Sequence, residues 1–374
     1  MEQKALHLSS VASSGKRVDA FDIMKGIAIL LMIVGHTTGK IPLLRDFIFS
    51  FHMPLFFLLS GYFFRPAPVG LALKKNFKRL YVPYLFTALL LALHMMTVAY
   101  CNGQDVWGVG LVRLRATLLG SGAPLVLGMR PAIGAIWFLA ALFWALLWLN
   151  LALRTRFPLL VCLLLAALSF ALQGEIFLPQ SIQPACSATL FLYIGYSARR
   201  YQWLERAGRL TSAGLKRLFS PPFCNPLADA AAGCSQESGA TRPWLWAFVC
   251  AALWYTAWMR GKLEMSCDYY RFWYFDMLAA VAAVWLVYQW AVWLDASRFV
   301  RLKRFFCFFG RYSLVVLCFH LYELNCISWK NVVPLDWGDG VLPIFWVLKF
   351  IWAYLCIQLT LHVPFLRKIF QIKG

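Results

Sequence analysis

Three ionisable residues fall in one apolar run near the start of the chain. Asp22, Lys25 and His36 belong to a stretch ending near residue 38 that is otherwise mostly Ile, Leu, Met, Ala and Gly. At about 100° per residue, Lys25 to His36 is roughly 20° past three helical turns, and Asp22 to His36 is roughly 40° short of four. The three share one helical face, with Lys25 and His36 about 16 Å apart along the axis. One reading is bland: Asp22 and Lys25 pair or snorkel at a membrane surface, and His36 caps the helix. The other is chemical. Ionisable groups at membrane depth are expensive and mark pathways and sites. An imidazole at the end of such a stripe is a base near neutral pH, able to take a proton from an attacking hydroxyl.

A second histidine strengthens the chemical reading. His52 opens the next apolar run in Ser50-Phe51-His52-Met53-Pro54, which closes with Ser60-Gly61-Tyr62. If the two runs are antiparallel helices, His36 and His52 lie at similar depth. Pro54 removes a backbone donor and kinks its helix, and Gly61 permits close helix approach. The chain has no GxSxG, HExxH, GxGxxG or Walker pattern, which argues against a covalent serine mechanism, zinc hydrolysis and nucleotide hydrolysis. Its 11 cysteines include no CxxC pair, and most lie in apolar runs. They read as small packing residues, so no metal site is expected.

The elements that must position these residues are membrane helices. Of 374 residues, 61% are hydrophobic and only 14% charged, against about 25% charged in soluble domains. Runs of roughly 20 apolar residues can cross a hydrocarbon core. They lie near 22–38, 47–64, 80–100, 133–150, 157–173, 183–198, 243–259, 274–294, 306–323 and 343–364. The expected architecture is an all-α polytopic transmembrane bundle of about ten spans. It forms a single domain over 1–374, with a cytoplasmic tail at 1–20 and a flexible cytoplasmic loop at 199–242. The 101–132 stretch, rich in glycine and half apolar, reads as interfacial or re-entrant. With the N-terminus inside, the cytoplasmic segments hold 24 Lys and Arg and the external ones 9. That asymmetry predicts both termini in the cytoplasm. It also explains the net charge of +20 by an anionic leaflet rather than nucleic acid. The first apolar run lacks a small-residue cleavage site, so its retention is expected.

Taken together, several segments resemble the acyltransferase-3 family of integral-membrane glycan O-acyltransferases. They are Asp22-Ile23-Met24-Lys25-Gly26 leading to Gly35-His36, then Phe51-His52-Met53-Pro54-Leu55-Phe56-Phe57 with Ser60-Gly61-Tyr62. Arg79-Leu80-Tyr81-Val82-Pro83-Tyr84, Trp137-Phe138-Leu139, and Gly310-Arg311-Tyr312-Ser313 followed by His320 continue the likeness. The pattern is most similar to the fucose 4-O-acetylase-like and exopolysaccharide acetyltransferase branch. The resemblance implies a ten-span core that moves an acetyl or other acyl group from cytosolic acyl-coenzyme A to a sugar hydroxyl. The acceptor would be a lipid-linked or polymeric glycan beyond a bacterial inner membrane. It implies His36 as the catalytic base, matching the family's basic residue, ten positions and histidine. Lys25 and Asp22 would position and polarise along the donor path, and His52 would assist. One departure stands out: where the family often has Arg-x-x-Arg before the third span, Arg79 matches the second arginine but Asn76 takes the first place. Lys75, Lys78 and Arg79 remain as candidate contacts for the donor phosphates, or as ordinary positive-inside charge. Arg130, Trp137, Glu264 and Asp268 are the candidate acceptor contacts, or belt and loop residues. No permanently bound cofactor is expected. The competing readings are a transporter of a small anionic or glycan-related solute and a multi-spanning assembly subunit. Consumption of labelled acetyl-coenzyme A separates both from an enzyme.

Overall fold

The computed structural model describes residues 19–37, 41–122, 131–173, 178–203, 243–260, 263–329 and 342–372. About 81% of them are helical and none forms a barrel. The expected tail at 1–20 and loop at 199–242 fall almost wholly outside the described residues, as does Arg130.

The helices are α1 (Asp19–Thr37), α2 (Pro42–Phe49), α3 (His52–Tyr62), α4 (Val69–Asn76), α5 (Val82–Cys101), α6 (Val106–Leu119) and α7 (Trp137–Ala152). They continue as α8 (Pro158–Ala171), α9 (Ile182–Arg200), α10 (Pro243–Arg260), α11 (Tyr274–Ala296), α12 (Val300–Arg311), α13 (Ser313–Cys326), α14 (Leu342–His362) and α15 (Pro364–Ile369). Each of the ten apolar runs overlaps a helix, with breaks at Ser50–Phe51 and Tyr312 and a non-helical start before Trp137. Among the described residues, five stretches are long and apolar enough to cross a membrane: Asp19–Thr37, Pro42–Tyr62, Val69–Cys101, Tyr274–Ala296 and Leu342–His362. A sixth is added if α12 and α13, which meet at 74°, are one broken span. The fold is that of a helical membrane protein.

Two local features depart from the sequence reading. The basic run Arg301-Leu302-Lys303-Arg304 is helix rather than loop: it is the polar part of α12, where Lys303 pairs with Asp19 at 3.0 Å. The 65–79 segment is also largely helical, and a π-helical turn, Phe77–Tyr81, joins α4 to α5. Pro83 explains the widened turn, because it has no N–H to offer the Arg79 carbonyl one turn back. Helix α6 lies in the stretch read as interfacial and exposes Trp107, Leu111, Leu114 and Leu118. The described chain also has one two-stranded hairpin, β1 (Leu263–Glu264) with β2 (Tyr269–Tyr270), antiparallel.

Helix α1 is the axis of the bundle. It packs on α12, α11, α3, α2, α14 and α13; of its polar stripe Asp22 is buried, while Lys25 and His36 line cavities. Two backbone-to-backbone crossings fix this arrangement. A Cβ on Gly26 would overlap the Phe306 carbonyl, and one on Gly310 would overlap that of Asp22. Gly61 and Gly195 make the same reciprocal contact with Leu192 and Leu58, where α3 crosses α9. Small residues allow such approach where no hydrophobic force draws the helices together.

Candidate active site

Pro54 sets up the first half of the site. Without its N–H the Ser50 carbonyl lacks a helical partner, and the helix breaks between Phe49 and His52. The break is held by Ser50, whose Oγ donates to Phe47 O at 2.7 Å and accepts from the Trp254 indole at 2.8 Å. It turns Phe49 and His52 into a cavity of about 210 Å³. The buried His52 donates from Nδ1 to the Ile48 carbonyl, 2.9 Å away, leaving Nε2 as the acceptor. His36, from α1, presents its ring to the same cavity. Phe49 stands between the two histidines, with ring centroids 5.4 Å from His36 and 4.8 Å from His52.

The cavity's charges are paired. Arg45 Nη2 donates to both Glu264 oxygens, at 2.9 and 3.3 Å, and the Arg45 guanidinium lies 4.4 Å over the Phe49 ring. Glu264 also accepts from Ser266 Oγ at 2.9 Å. Trp137 completes the wall at the first turn of α7. Gly122 makes room for it, since a Cβ there would overlap the indole.

A second cavity of about 220 Å³ lies toward the N-terminal end of α1. Lys25, Arg65, Lys75, Asn76 and Arg79 line it, with no carboxylate among its lining residues. Lys78 does not line it. Asp22 stands behind, with Oδ1 2.7 Å from Lys25 Nζ. The segment carrying Arg65 is pinned by Asn150, whose side chain brackets the Ala67 backbone at 3.2 and 2.9 Å. Phe138, Leu139 and Ser313 supply part of the wall. Met32, Met53 and Leu317 line both cavities, so the basic space and the histidine space abut at one apolar waist.

The candidate residues thus divide. His36, His52, Trp137 and Glu264 share the histidine cavity, while Lys25, Lys75 and Arg79 share the basic one. Asp268 lines neither. It is buried behind the hairpin in the left-handed region (φ 55°), which Asp tolerates better than most residues. Ser169 Oγ lies 2.6 Å and Ser187 Oγ 3.0 Å from its carboxyl oxygens, and Tyr270 donates to Ser187 at 3.0 Å. Burial pushes the Asp268 carboxyl up to about 7, with the serine hydroxyls and Gln183 acting in the other direction. Asp268 holds the hairpin that presents Glu264 and Ser266.

Arg45 and Arg65 line the cavities without having been marked as site residues, and Glu323 and Lys349 form a buried pair outside both linings. Glu323 and Lys349 are buried on α13 and α14, and Lys349 Nζ donates to Glu323 Oε1 at 2.6 Å. Their sequence signal was an ionisable residue inside or at the end of an apolar run, the same signal that marked α1.

Comparison with known proteins adds one finding. A family model described as an acyltransferase domain matches residues 18–362. No curated protein and no solved structure matches the chain.

Proposed function

Because this chain belongs to the acyltransferase domain family, as a membrane enzyme transferring groups other than amino-acyl groups, we propose that it acetylates a glycan hydroxyl with acyl-coenzyme A as donor. The observation that carries this reading is the meeting of the two cavities at Met32, Met53 and Leu317. A donor with anionic phosphates suits the space lined by Lys25, Arg65, Lys75 and Arg79, because charge-assisted contacts to phosphate are the strong ones. Its thioester then reaches past the waist to His36. A sugar suits the other space, where Trp137 offers a stacking face and Arg45, Glu264 and Ser266 offer hydrogen bonds.

The chemistry follows from that placement. His36 takes the proton as the acceptor oxygen attacks the thioester carbonyl, a C–O bond forms and the C–S bond breaks. The proton then passes to the leaving thiolate. His52, fixed by Ile48, steadies the same space. Asp22 keeps Lys25 extended along the donor path.

The charge asymmetry supports ten spans with both termini cytoplasmic, which puts the basic cavity on the cytosolic side. The localisation proposed is a bacterial inner membrane, with a cell-surface or exopolysaccharide glycan as acceptor. Reporter fusions after Arg206 and Arg301 should read cytoplasmic, and those after Gln180 and Asp336 external; Arg206 and Gln180 on one side would end the ten-span arrangement. The reaction is tested with acetyl-labelled acetyl-coenzyme A and membranes of expressing cells. Label should enter glycan, and mass spectrometry of glycan from a deletion strain should lose acetyl groups. Label remaining in acetyl-coenzyme A, with surface glycan unchanged, would favour the transporter reading instead.

A further inference from the structure

His36 does not stand alone against the cavity wall. The ring of His320, on α13, lies 5.7 Å from it, centroid to centroid, at an interplanar angle of 42°. His320 is buried, and its Nδ1 lies 2.8 Å from Glu323 Oε2, three residues on along the same helix face. The other Glu323 oxygen accepts from Lys349 Nζ at 2.6 Å and from the Trp329 indole. Glu323 is thus held in one orientation by two donors from outside its own helix.

The 2.8 Å approach favours one tautomer of His320, although the bond to Glu323 Oε2 is not aligned in this structure. A ring nitrogen beside a carboxylate carries the proton, so Nδ1 is the protonated nitrogen and Nε2 keeps its lone pair. That Nε2 is buried and has no hydrogen-bond partner among the described residues. Leaving a buried acceptor unpaired costs about 1–3 kcal/mol, so the lone pair needs a donor. Two imidazoles joined by an N–H···N bond have centroids roughly 5 Å apart. The observed separation is only slightly longer, and catalytic hydrogen bonds commonly tighten once substrate is bound.

We infer that His320 and Glu323 are positioning residues for His36, joined to it in one line: His36 N–H to His320 Nε2, and His320 Nδ1–H to Glu323. The inference rests on His36 being the base. While the acceptor oxygen forms its bond to the acyl carbon, His36 holds the transferred proton and becomes an imidazolium. The line lets it donate its second N–H, and the carboxylate offsets the new charge. That proton then passes from His36 to the coenzyme A thiolate as the C–S bond breaks, so the line ends with the protons it began with and none is consumed. This is the logic of a base oriented by a third group, with a second imidazole set between base and carboxylate. A merely structural Glu323 would tie α13 to α14 through Lys349, and that role needs neither His320 nor its empty acceptor.

The charged and titratable groups around His36 are His320 and Glu323 on α13, His52 on α3, Arg45 on α2, Glu264 on the hairpin and Lys349 on α14. The test measures thiol release from acetyl-coenzyme A across pH, in membrane vesicles that carry the native acceptor. His320→Gln and Glu323→Gln should each lower kcat by about 10- to 100-fold, with the donor KM unchanged. Without the carboxylate behind it, His36 holds a proton less tightly, so the acid limb of the kcat profile should move to lower pH. Glu323→Asp should restore part of both. If Glu323→Gln fails to accumulate because Lys349 is left unpaired, Glu323→Gln with Lys349→Met removes both charges and is read in the same way. Wild-type kcat and an unmoved acid limb in His320→Gln, with His36→Gln inactive, overturn the line but leave His36 as base. Activity surviving in His36→Gln overturns the reading beneath it.

Discussion

The two cavities that meet at the waist handle charge in opposite ways. On the basic side Lys25, Arg65, Lys75 and Arg79 line the space with no carboxylate among the lining residues. On the histidine side the guanidinium of Arg45 is spent on Glu264, and the remaining polar groups are neutral or imidazole. A surplus of cations holds an anionic ligand without regard to its detailed shape. A compensated site has no such general attraction and depends on hydrogen bonds and geometry. On the proposed function, affinity for the donor should therefore be broad and salt-sensitive, whereas selection of the acceptor hydroxyl and the chemistry itself would fall to the compensated side.

The sharpest way to break that division is His36. His36→Gln and His36→Ala should both lower acyl transfer by about 10²–10⁴-fold, at matched abundance by blotting and with donor binding retained. Glutamine keeps hydrogen-bonding capacity but cannot take a proton near neutral pH. Near-normal transfer in His36→Gln would leave the histidine side without its base.

The waist comes next. Met32→Trp should obstruct passage of the acyl group and lower kcat on the order of 10²-fold through misplacement alone. Donor affinity, measured separately by isothermal titration, should hold. Equal losses in both would mean that the donor does not thread between the cavities.

A smaller effect is expected on the basic side. Neutralising Lys75, Lys78 and Arg79 together should raise the donor KM by about 10- to 100-fold, roughly the 1.5–3 kcal/mol of one bond to a charged group, since Lys25 and Arg65 remain to hold the phosphates. The single change Lys78→Ala should contribute least, because Lys78 does not line the cavity. Added salt should weaken donor binding in the wild type more than in the triple variant. A flat donor KM would move the phosphate site elsewhere, the Arg298–Arg304 cluster being the next basic surface.

The smallest effect concerns the anchor behind the histidine side. Asp268 is held up to about 7, against 3.8 for a free carboxyl, so the folded hairpin favours its protonated form. That contribution is complete below the free value and disappears as pH rises through about 7. Unfolding temperature in detergent should fall by about a few degrees as pH goes from roughly 5 to 8, and Asp268→Asn should flatten the trend. A pH-independent wild type would remove Asp268 as the hairpin's titrating anchor.

The helical pattern was legible because length and apolar content are local properties of each run, and a run of about 20 apolar residues can cross a membrane only as helix. The same holds for the face shared by Asp22, Lys25 and His36, which one helix determines by itself. The meeting of His36 and His52 in one space followed from antiparallel neighbours of similar length. Pairings between distant helices left no such trace. Nothing in the residues around Glu323 names Lys349 as its partner, 26 positions on. Asp268 and Glu264 look alike as carboxylates of one interhelical loop, yet the hairpin sends Glu264 into the cavity and Asp268 behind it. The left-handed turn that separates them is a property of the folded hairpin rather than of either residue. The bend between α12 and α13 was hidden because the basic run resembled a membrane-flanking loop, while its apolar face against α1 makes it helix.

The methionine waist has an electrical consequence. A catalyst open to both faces of a bilayer would discharge the ion gradients across it unless its two openings were insulated from each other. Met32, Met53 and Leu317 offer no hydrogen bond to water or to a hydrated ion, and an apolar constriction of that kind blocks conduction by dewetting. An acyl thioester, largely uncharged at its reactive end, meets no comparable barrier, and the unbranched thioethers of methionine yield readily to its shape. On the proposed reaction, the three side chains that admit the transferred group would therefore also be the membrane's insulation at this point.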